Sequence, residues 1–468
     1  MIIEFLILAN GLLFLYYLAS NFAYLALLAV ATWSSALHQR RLSSLRLEGL
    51  RESPFAPPVA LVVPAHNEAK CIVESVRSLL TLDYPELEIV VVNDGSADDT
   101  LGELKREFAL LETDILYVPE IPCRPVRGLY VSQTEPRLLV LDKEAGGSKA
   151  DAINAGLNAA TAPYVCVLDA DSILERDALL RIMTPVTSDP RRVVGAGGIV
   201  RVVNGSRVAG GRLAEVRLPQ GPLEVIQVVE YLRAFLIGRE GWAQANMLLI
   251  ISGAFGVFSR ELVKQIGGYR ASAIGEDFDL VTRMHRYLRE QKQEYHIGFV
   301  PDPVCWTEVP SDHISLGRQR ARWQKGLMDV LWKNRDMLFR RRYGRIGLLA
   351  LPYAWGFELL APVIEIFGIF TMVLAAALGA LSREFFLQFL LFGYAFATLI
   401  SIGSVLQEEI TYRRYNDWRD VVRLVLFCFL EHFPYRQMHM WWRLRGLWEF
   451  VRGDVAWHKL RRIGFQEH

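Results

Sequence analysis

Few cysteines and no excess of either charge narrow the classes of protein to which this chain can belong. The 468 residues include five cysteines, which lie far apart with no CxxC pair, so neither a disulfide framework nor a zinc site is expected. The 52 lysines and arginines nearly balance 51 aspartates and glutamates, giving a net charge of +1, which argues against nucleic acid as a partner. Only 22% of the residues are charged and 52% are hydrophobic, which predicts contact with a membrane.

Long apolar stretches predict membrane-spanning helices. From Ile2 to Leu37 only Glu4 is charged, and about 20 apolar residues are enough to cross a bilayer. This run is too long for the apolar part of a normal signal peptide. Residues 346–381 are predicted to form an interfacial piece up to about Pro362 and then a span, and residues 385–406 a second span.

Basic residues beside these stretches predict the orientation in the membrane. Lysine and arginine concentrate on the cytoplasmic side of spans. They follow the first stretch and recur near the C-terminus, at Arg40, Arg41, Arg46, Arg51, Arg443, Arg445, Arg452, Lys459, Arg461 and Arg462. With three crossings, the N-terminus is expected outside and the C-terminus inside. The segment 421–437 is apolar but charged, which favours an amphipathic interfacial helix, with a full crossing as the alternative.

Between the spans, short β-rich runs alternate with helical patterns. That alternation predicts βαβ units and a mainly parallel sheet. The predicted strands are 59–63, 89–92, 138–141 and 164–168. Polar residues follow three of these strands, at the edge where open α/β sheets bind ligands. His66 and Glu68 follow the first strand and Asp94 the second, although Asp94 is also an ordinary turn residue.

A pair of carboxylates and a glycine-rich turn point to phosphate chemistry. Asp169 and Asp171 stand at i and i+2 after the fourth strand, so their side chains point the same way and attract a divalent cation. A solvated loop pair is the alternative. Residues 146–148 lead into a helix whose Lys149 could reach a phosphate. Neither the P-loop spacing nor GxGxxG is present, which disfavours a P-loop NTPase and a dinucleotide site.

Two further motifs lie later in the domain. Glu276 and Asp277 precede an amphipathic helix, where a carboxylate could act as a general base or simply favour the helix dipole. Gln319, Arg322 and Trp323 stand at i, i+3 and i+4 and therefore project from one helix face. An interfacial helix with a membrane-anchoring arginine and tryptophan is the alternative for this second motif.

Taken in order, these motifs closely resemble those of the family 2 glycosyltransferases. The resemblance is greatest to the processive membrane branch of cellulose, chitin, hyaluronan and poly-N-acetylglucosamine synthases. It rests on ProAlaHisAsnGlu (64–68), ValAsnAspGlySer (92–96), GlyGlySerLysAla (146–150), AspAlaAsp (169–171), GlyGluAsp (275–277) and GlnArgAlaArgTrp (319–323). It implies an α/β GT-A domain with a Rossmann-like mixed sheet, combined with α-helical transmembrane segments.

The resemblance also implies roles for the site residues near the donor. His66, Glu68 and Asp94 would line the uridine pocket of a UDP-sugar, and Lys149 would meet its diphosphate. Asp169 would lie beside the donor within the DxD motif. Asp171 would be the direct ligand of Mg²⁺ or Mn²⁺, which is the implied cofactor.

The remaining motifs would act at the acceptor end. Asp277 would be the catalytic base beside Glu276, with Gly275 standing where the family has threonine. The three QxxRW residues Gln319, Arg322 and Trp323 would close over the donor pyrophosphate, with Arg322 neutralising the leaving group and Trp323 stacking on the acceptor.

These roles predict an organisation and a function. The predicted units are an N-terminal transmembrane helix (1–38), a juxtamembrane linker (39–56), a cytoplasmic GT-A catalytic domain (57–312), interfacial helices carrying QxxRW (313–345), transmembrane and interfacial helices (346–440) and a basic cytoplasmic tail (441–468). The predicted protein is an inverting glycosyltransferase of the bacterial inner membrane. It polymerises a β-linked polysaccharide and secretes it through its own helices.

Two alternatives and two questions stay open. A single-addition transferase acting on a lipid or lipid-linked acceptor is the first alternative, and a non-catalytic membrane receptor or scaffold is the second. The transferred sugar is not identified by the sequence, because donor selectivity depends on a few contacts in three dimensions. Control by a separate partner subunit is also open.

Overall fold

A ten-stranded mixed sheet forms the centre of the domain between the membrane helices. The computed structural model describes residues 1–44, 56–209, 212–415 and 417–453. Arg46, Arg51 and the predicted tail beyond residue 453 lie outside the described residues. The strands are β1 (Val59–Ala65), β2 (Leu87–Asp94), β3 (Leu110–Thr113), β4 (Val126–Ser132), β5 (Leu138–Lys143), β6 (Tyr164–Val167), β7 (Ile173–Leu174), β8 (Val193–Val202), β9 (Arg207–Ala209), β10 (Arg212–Glu215), β11 (Gly256–Ser259) and β12 (His296–Thr307).

The strand order places the predicted motifs along one edge. The main sheet runs β3-β4-β5-β2-β1-β6-β11-β8-β12-β7, and β9 and β10 form a separate pair. Strands β5, β2, β1 and β6 are mutually parallel neighbours, so their carboxyl ends meet at one edge. Antiparallel pairs at β3, β4 and β11 make the sheet mixed. The predicted α/β architecture with a Rossmann-like mixed sheet is confirmed.

Burial explains why the central strands carry uninterrupted apolar runs. Almost every residue of β1 and β2 is buried, as is usual for parallel strands covered on both faces. The helix that follows β5 packs against both of them. The Ser148 side chain caps this helix by accepting from the Asp151 backbone N–H. This cap begins the helix at Lys149 and places that lysine at the sheet edge.

The helices up to residue 333 belong to the α/β domain or flank it. They are α1 (Ile2–Ser44), α2 (Ile72–Leu80), α3 (Thr100–Glu107), α4 (Lys149–Ala159), α5 (Ala178–Ile182), α6 (Thr184–Ser188), α7 (Pro222–Leu232), α8 (Glu240–Gln244), α9 (Arg260–Gln265), α10 (Glu276–Glu290) and α11 (His313–Lys333), where α1 precedes the domain and α11 follows it. A π-helical segment, Arg233–Arg239, joins α7 to α8. The predicted QxxRW motif lies within α11.

The rest of the described chain is helical. Its helices are α12 (Leu351–Tyr353), α13 (Ala361–Ala377), α14 (Arg383–Leu390), α15 (Phe396–Thr411), α16 (Trp418–Leu430) and α17 (Arg436–Val451). Wider π-helical turns occupy Ile346–Ala350, Ala354–Leu359, Leu391–Ala395 and Glu431–Tyr435, and short 3₁₀ turns occupy Arg335–Met337 and Arg341–Tyr343.

Two helices in the described part of the chain are long and apolar enough to cross a membrane. They cover Ile2–Arg40 and Arg383–Thr411. A third candidate is a pair, Ile346–Leu359 and Ala361–Ala377, bent by 47°. The bend falls at Leu360, next to Pro362, where we expected an interfacial piece to give way to a span. The predicted interfacial segment 421–437 is not among the candidate spans.

One buried and one partly exposed ion pair join these helices to the α/β domain. Arg201 of β8 donates two hydrogen bonds, of 2.7 and 2.6 Å, to the carboxylate of Glu408 in α15, and both side chains are 2% exposed. Arg414 makes a second two-point contact, of 2.7 and 2.9 Å, with Glu175. The sheet and the second long apolar helix are therefore held together by charges that are shielded from water.

Candidate functional site

The ends of β2 and β5 form one side of the site. In the parallel register, Asp94 lies opposite Lys143, and the buried Lys143 ammonium forms an ion pair with the Asp94 carboxylate. The Gly146 backbone N–H donates to the same carboxylate at 2.9 Å. His66, at the end of β1, contacts the Asp94 backbone oxygen through Nδ1 at 2.7 Å. Asp94 is therefore held by backbone and side chains from both neighbouring strands.

Lys143 is a site residue that the sequence motifs did not indicate. Its ammonium also lies 2.6 Å from the Asp151 carboxylate in the first turn of α4. It thereby connects the strand end that carries Asp94 with the helix that begins at Lys149. The sequence could have indicated Lys143 through its place at the end of a predicted strand, because the ends of parallel strands gather ligand-binding side chains.

The second side of the site joins three of the predicted motifs. Lys149 forms an ion pair with Asp169 and donates to the Gly253 carbonyl at 3.0 Å. The backbone N–H of the same Gly253 donates to the Asp277 carboxylate at 3.2 Å. Gly253 thus lies between the phosphate-binding candidate and the base candidate. No side chain would fit easily there, because a Cβ on Gly253 would lie 3.3 Å from the Lys149 nitrogen.

The charged groups of the site shift one another's pKa values. Burial acts to lower the pKa of Lys149, but the carboxylates of Asp169, Glu276 and Asp277 outweigh it and the pKa is raised. Burial raises the pKa of Glu276, and the negative charge of Asp277 raises it further. Carboxyl groups whose pKa is perturbed by burial and by a neighbouring charge are typical of catalytic sites. The carboxylate pair is therefore a candidate for proton transfer.

Asp169 and Asp171 supply two carboxylates for a cation. Asp171 is 7% exposed, and the Asp169 side chain is 32% exposed. In the described ranges no group of three or more histidine, cysteine or acidic residues could hold a metal. Two carboxylates suit Mg²⁺ or Mn²⁺ only when substrate phosphate and water complete the shell, which is the arrangement Mg²⁺ prefers. The donor set therefore fits a cation that arrives with a nucleotide.

The QxxRW residues project from α11 as expected, but into different surroundings. Gln319 is buried, and its Oε1 has no hydrogen-bond partner among the described residues. The positive charge of Arg322 acts to lower the pKa of Glu276, although burial dominates and that pKa is raised overall. Trp323 is 44% exposed, and the Arg320 guanidinium lies 4.4 Å from the centre of its ring. Arg322 therefore faces the carboxylate pair, while Trp323 borders open space.

Two glycines bring the loop before the carboxylate pair close to the QxxRW helix. A Cβ on Gly275 would lie 3.4 Å from the Cα of Gly326 in α11, and a Cβ on Gly326 would lie 3.2 Å from the Cα of Gly275. The loop before the carboxylate pair therefore lies directly on the QxxRW helix.

The structure brings most of the predicted site residues together. Lys149, Asp169, Glu276, Asp277 and Arg322 form one electrostatic group. A second group contains Asp94 and His66, and the Lys143–Asp151 contact ties it to the first through α4. Glu68 lies beside them, and its backbone N–H donates to Thr100 at 2.9 Å. Trp323 makes no described contact with the carboxylate pair.

Two family models match this part of the chain. The family model described as "Glycosyl transferase family 2" matches residues 60–120, and the one described as "Glycosyltransferase like family 2" matches residues 131–326. These two ranges contain all the predicted site residues.

Curated relatives match the same part of the chain. A poly-beta-1,6-N-acetyl-D-glucosamine synthase of Staphylococcus epidermidis is 28% identical over 279 residues, which are 59% of this chain and 56% of that protein. A probable glycosyltransferase, YdaM, of Bacillus subtilis is 27% identical over 295 residues, or 62% and 60% of the two chains. The chain thus spans little more than half the length of these relatives.

Among solved structures, a mannosyltransferase from Pyrobaculum calidifontis, in complex with GDP-Man and Mn²⁺, aligns with a TM-score of 0.49 and 21% identity. The alignment covers 89% of this chain and 99% of that one. The two family models, the synthase relatives and the mixed sheet agree with the motifs. The chain therefore carries a family 2 glycosyltransferase domain on a mixed α/β sheet, and its sequence is similar to that of polysaccharide synthases.

Proposed function

We propose that this protein polymerises a β-linked polysaccharide from a UDP-sugar at a membrane. The observation that carries the proposal is the Lys149–Gly253–Asp277 arrangement, which sets a phosphate-binding cation beside a candidate base. The synthase names of its relatives support polymer formation. Because those names specify N-acetylglucosamine, UDP-N-acetylglucosamine is the first donor to test.

Donor binding is assigned to the two groups at the sheet edge. Asp94, His66 and Glu68 bind the uridine, and Lys149, Gln319 and Arg322 hold the diphosphate. Asp171 and Asp169 would hold Mg²⁺ or Mn²⁺, which neutralises charge on the leaving diphosphate when bound. Lys149 and Arg322 supply fixed positive charge at the same place.

Transfer is assigned to the carboxylate pair. Asp277 takes the proton from an acceptor hydroxyl while that oxygen forms a bond to the anomeric carbon. The bond from that carbon to the diphosphate oxygen breaks on the opposite face, and UDP leaves with the electron pair. An α-linked donor therefore gives a β-linked product. Glu276 stands next to the base, and its pKa is raised by burial and by the negative charge of Asp277.

The membrane helices are assigned to product export. Placing polar groups inside a bilayer costs free energy, so the polar groups found there mark functional paths. Tyr16 of α1 donates to the Gly356 carbonyl at 3.0 Å, and Arg443 donates to Gln324 of the QxxRW helix at 2.8 Å. These contacts join α1 to the bent pair and α17 to the QxxRW helix, and Trp323 on that helix is assigned to guide the acceptor by stacking.

The α/β domain is assigned to the cytoplasm of a bacterial cell. Exposed Arg340, Arg341, Arg342 and Arg345 directly precede the bent pair, and positive charge favours the cytoplasmic side. UDP-sugars are made there. A partner subunit would bind the surface of the protein that these assignments leave free.

UDP release tests the proposal. The full chain in lipid nanodiscs would be given UDP-N-acetylglucosamine or UDP-glucose, with Mg²⁺ or Mn²⁺, and both UDP and product length would be measured. Long product with one donor, abolished by EDTA, is expected. Single-sugar products would favour the lipid-acceptor alternative. No UDP release with any donor would favour a receptor or scaffold.

A further inference from the structure

Arg239 carries a positive charge that the described protein does not pair. Its Nη1 atom is buried without a hydrogen-bond partner among the described residues. The guanidinium lies 3.9 Å from the centre of the Phe235 ring. Burial lowers the pKa of Arg239 to about 10, well within the range where it stays charged at neutral pH. A buried, unpaired charge is costly, so this position calls for a partner that binds during function.

The charges around Arg239 locate it relative to the base. Apart from burial, the groups that shift its pKa are Asp277, Tyr231 and Glu358. The carboxylates that shift the pKa of Lys149 are Asp169, Glu276 and Asp277. Asp277 is the acidic residue common to both sets, so both cations lie within electrostatic reach of it. Arg239 is also within reach of Glu358.

Arg239 also lies on the side of the domain that packs against the bent pair, since the ring of Trp242, three residues further along, lies 4.9 Å from the Tyr353 ring of that pair. Glu358 belongs to the π-helical segment Ala354–Leu359 of the bent pair. Arg239 itself ends the π-helical segment Arg233–Arg239, and π-helical turns occur often at functional sites. A growing chain that leaves through the membrane helices would have its acceptor end on this side of Asp277.

We propose that Arg239 is an acceptor-binding residue, whose guanidinium donates hydrogen bonds to oxygen atoms of the sugar at the end of the growing chain. A guanidinium offers five N–H donors in a fixed plane, and sugar hydroxyl and N-acetyl carbonyl oxygens accept them. The donor diphosphate already has Lys149 and Arg322 as its cations. The proposal rests on the proposed function, because it requires a carbohydrate acceptor.

Arg239→Met tests the proposal in the full chain in nanodiscs. Methionine fills the space beside Phe235 without a charge. The KM for an added β-linked N-acetylglucosamine oligosaccharide should rise about tenfold or more, as expected when a hydrogen bond from a charged donor is lost. UDP binding and acceptor-independent hydrolysis of UDP-N-acetylglucosamine should stay within about twofold of wild type. The Tm without acceptor should be equal or higher, since an unpaired buried charge is removed.

Controls separate this role from others. Arg239→Lys should recover part of the acceptor affinity, and Arg192→Met, which breaks a surface pair with Glu294, should change neither constant. An unchanged acceptor KM in Arg239→Met would overturn the proposal, and so would weaker UDP binding or a lower Tm, which would indicate a donor-side or structural role. Absence of UDP release from the wild type would instead refute the proposed function.

Discussion

Asp277 is the residue on which the enzymatic assignment depends most directly. Its carboxylate accepts from Gly253 at 3.2 Å and from the Phe278 backbone N–H at 2.8 Å. Asp277→Asn keeps the size and the acceptor oxygen but cannot take up a proton at neutral pH. We expect transfer to fall by about 10²-fold or more, the contribution of a general base, with UDP affinity unchanged. UDP-release kinetics and UDP titration measure the two effects.

Glu276→Gln is the matched control at the neighbouring position. Because Asp277 and not Glu276 is assigned as the base, the amide variant of Glu276 should retain more activity than Asp277→Asn. If Asp277→Asn were as active as wild type while Glu276→Gln was inactive, the roles of the two carboxylates would be exchanged.

At the residue scale, the sequence predicts side chains that follow strands and misses those that do not form a pattern. Asp94, Asp169 and Lys149 were found because strand ends and helix starts are visible in the local pattern. Lys143 required knowledge that β5 lies beside β2. Arg239 belongs to no sequence motif, and only the packed structure shows that its buried Nη1 atom has no partner among the described residues.

Helix α17 contacts the QxxRW helix through a glycine. A Cβ on Gly446 would lie 2.4 Å from the Ala321 carbonyl oxygen, within the motif itself. Gly446→Ala should therefore separate the two helices, at a cost of about 1–3 kcal/mol, and reduce polymerisation by displacing Arg322. Thermal unfolding and polymer yield check this. Gly11→Ala, where nothing lies within 4 Å of the added Cβ, should change neither, and equal effects of both variants would contradict the prediction.

The contact between α1 and α8 should make stability depend on pH. Burial raises the pKa of Glu240 from 4.5 to about 7, while its hydrogen bond with Ser34 acts in the opposite direction. Between these pH values the folded protein holds a proton that the unfolded chain has lost, so stability falls as pH rises. The Tm of wild type should fall relative to Glu240→Gln from about pH 5 to about pH 7 and then level off. A Tm difference that does not change with pH would contradict this.

At the element scale, the parallel strands were predictable and several later strands were not. Strands β1, β2, β5 and β6 are apolar runs with clear ends. Strand β8 contains Gly195, Gly197 and Gly198, and glycine weakens a strand signal. In the structure, side chains that include Phe258, Ile251 and Phe255 lie over these glycines. That packing depends on residues more than 50 positions away along the chain.

At the scale of the whole molecule, the α/β domain includes contacts from beyond its own segment. The predicted boundary at residue 312 separates the sheet from Glu408 and Arg414, which pair with Arg201 and Glu175. A chain ended at residue 345 would leave Arg201 buried without its partner, at a cost of about 3–5 kcal/mol. We expect such a truncated domain to be less stable than the full chain, with lower resistance to proteolysis. A truncated domain as resistant as the full chain would show that the ion pairs do not contribute.

The Arg201–Glu408 pair also has a consequence for biosynthesis. The two residues are 207 positions apart, so Arg201 leaves the ribosome long before its partner is made. Arg201 therefore has no Glu408 partner until the second long apolar helix has been synthesised. Completion of the α/β domain then depends on the synthesis and placement of that helix, so a nascent chain that stops before it leaves the domain without one of its buried ion pairs.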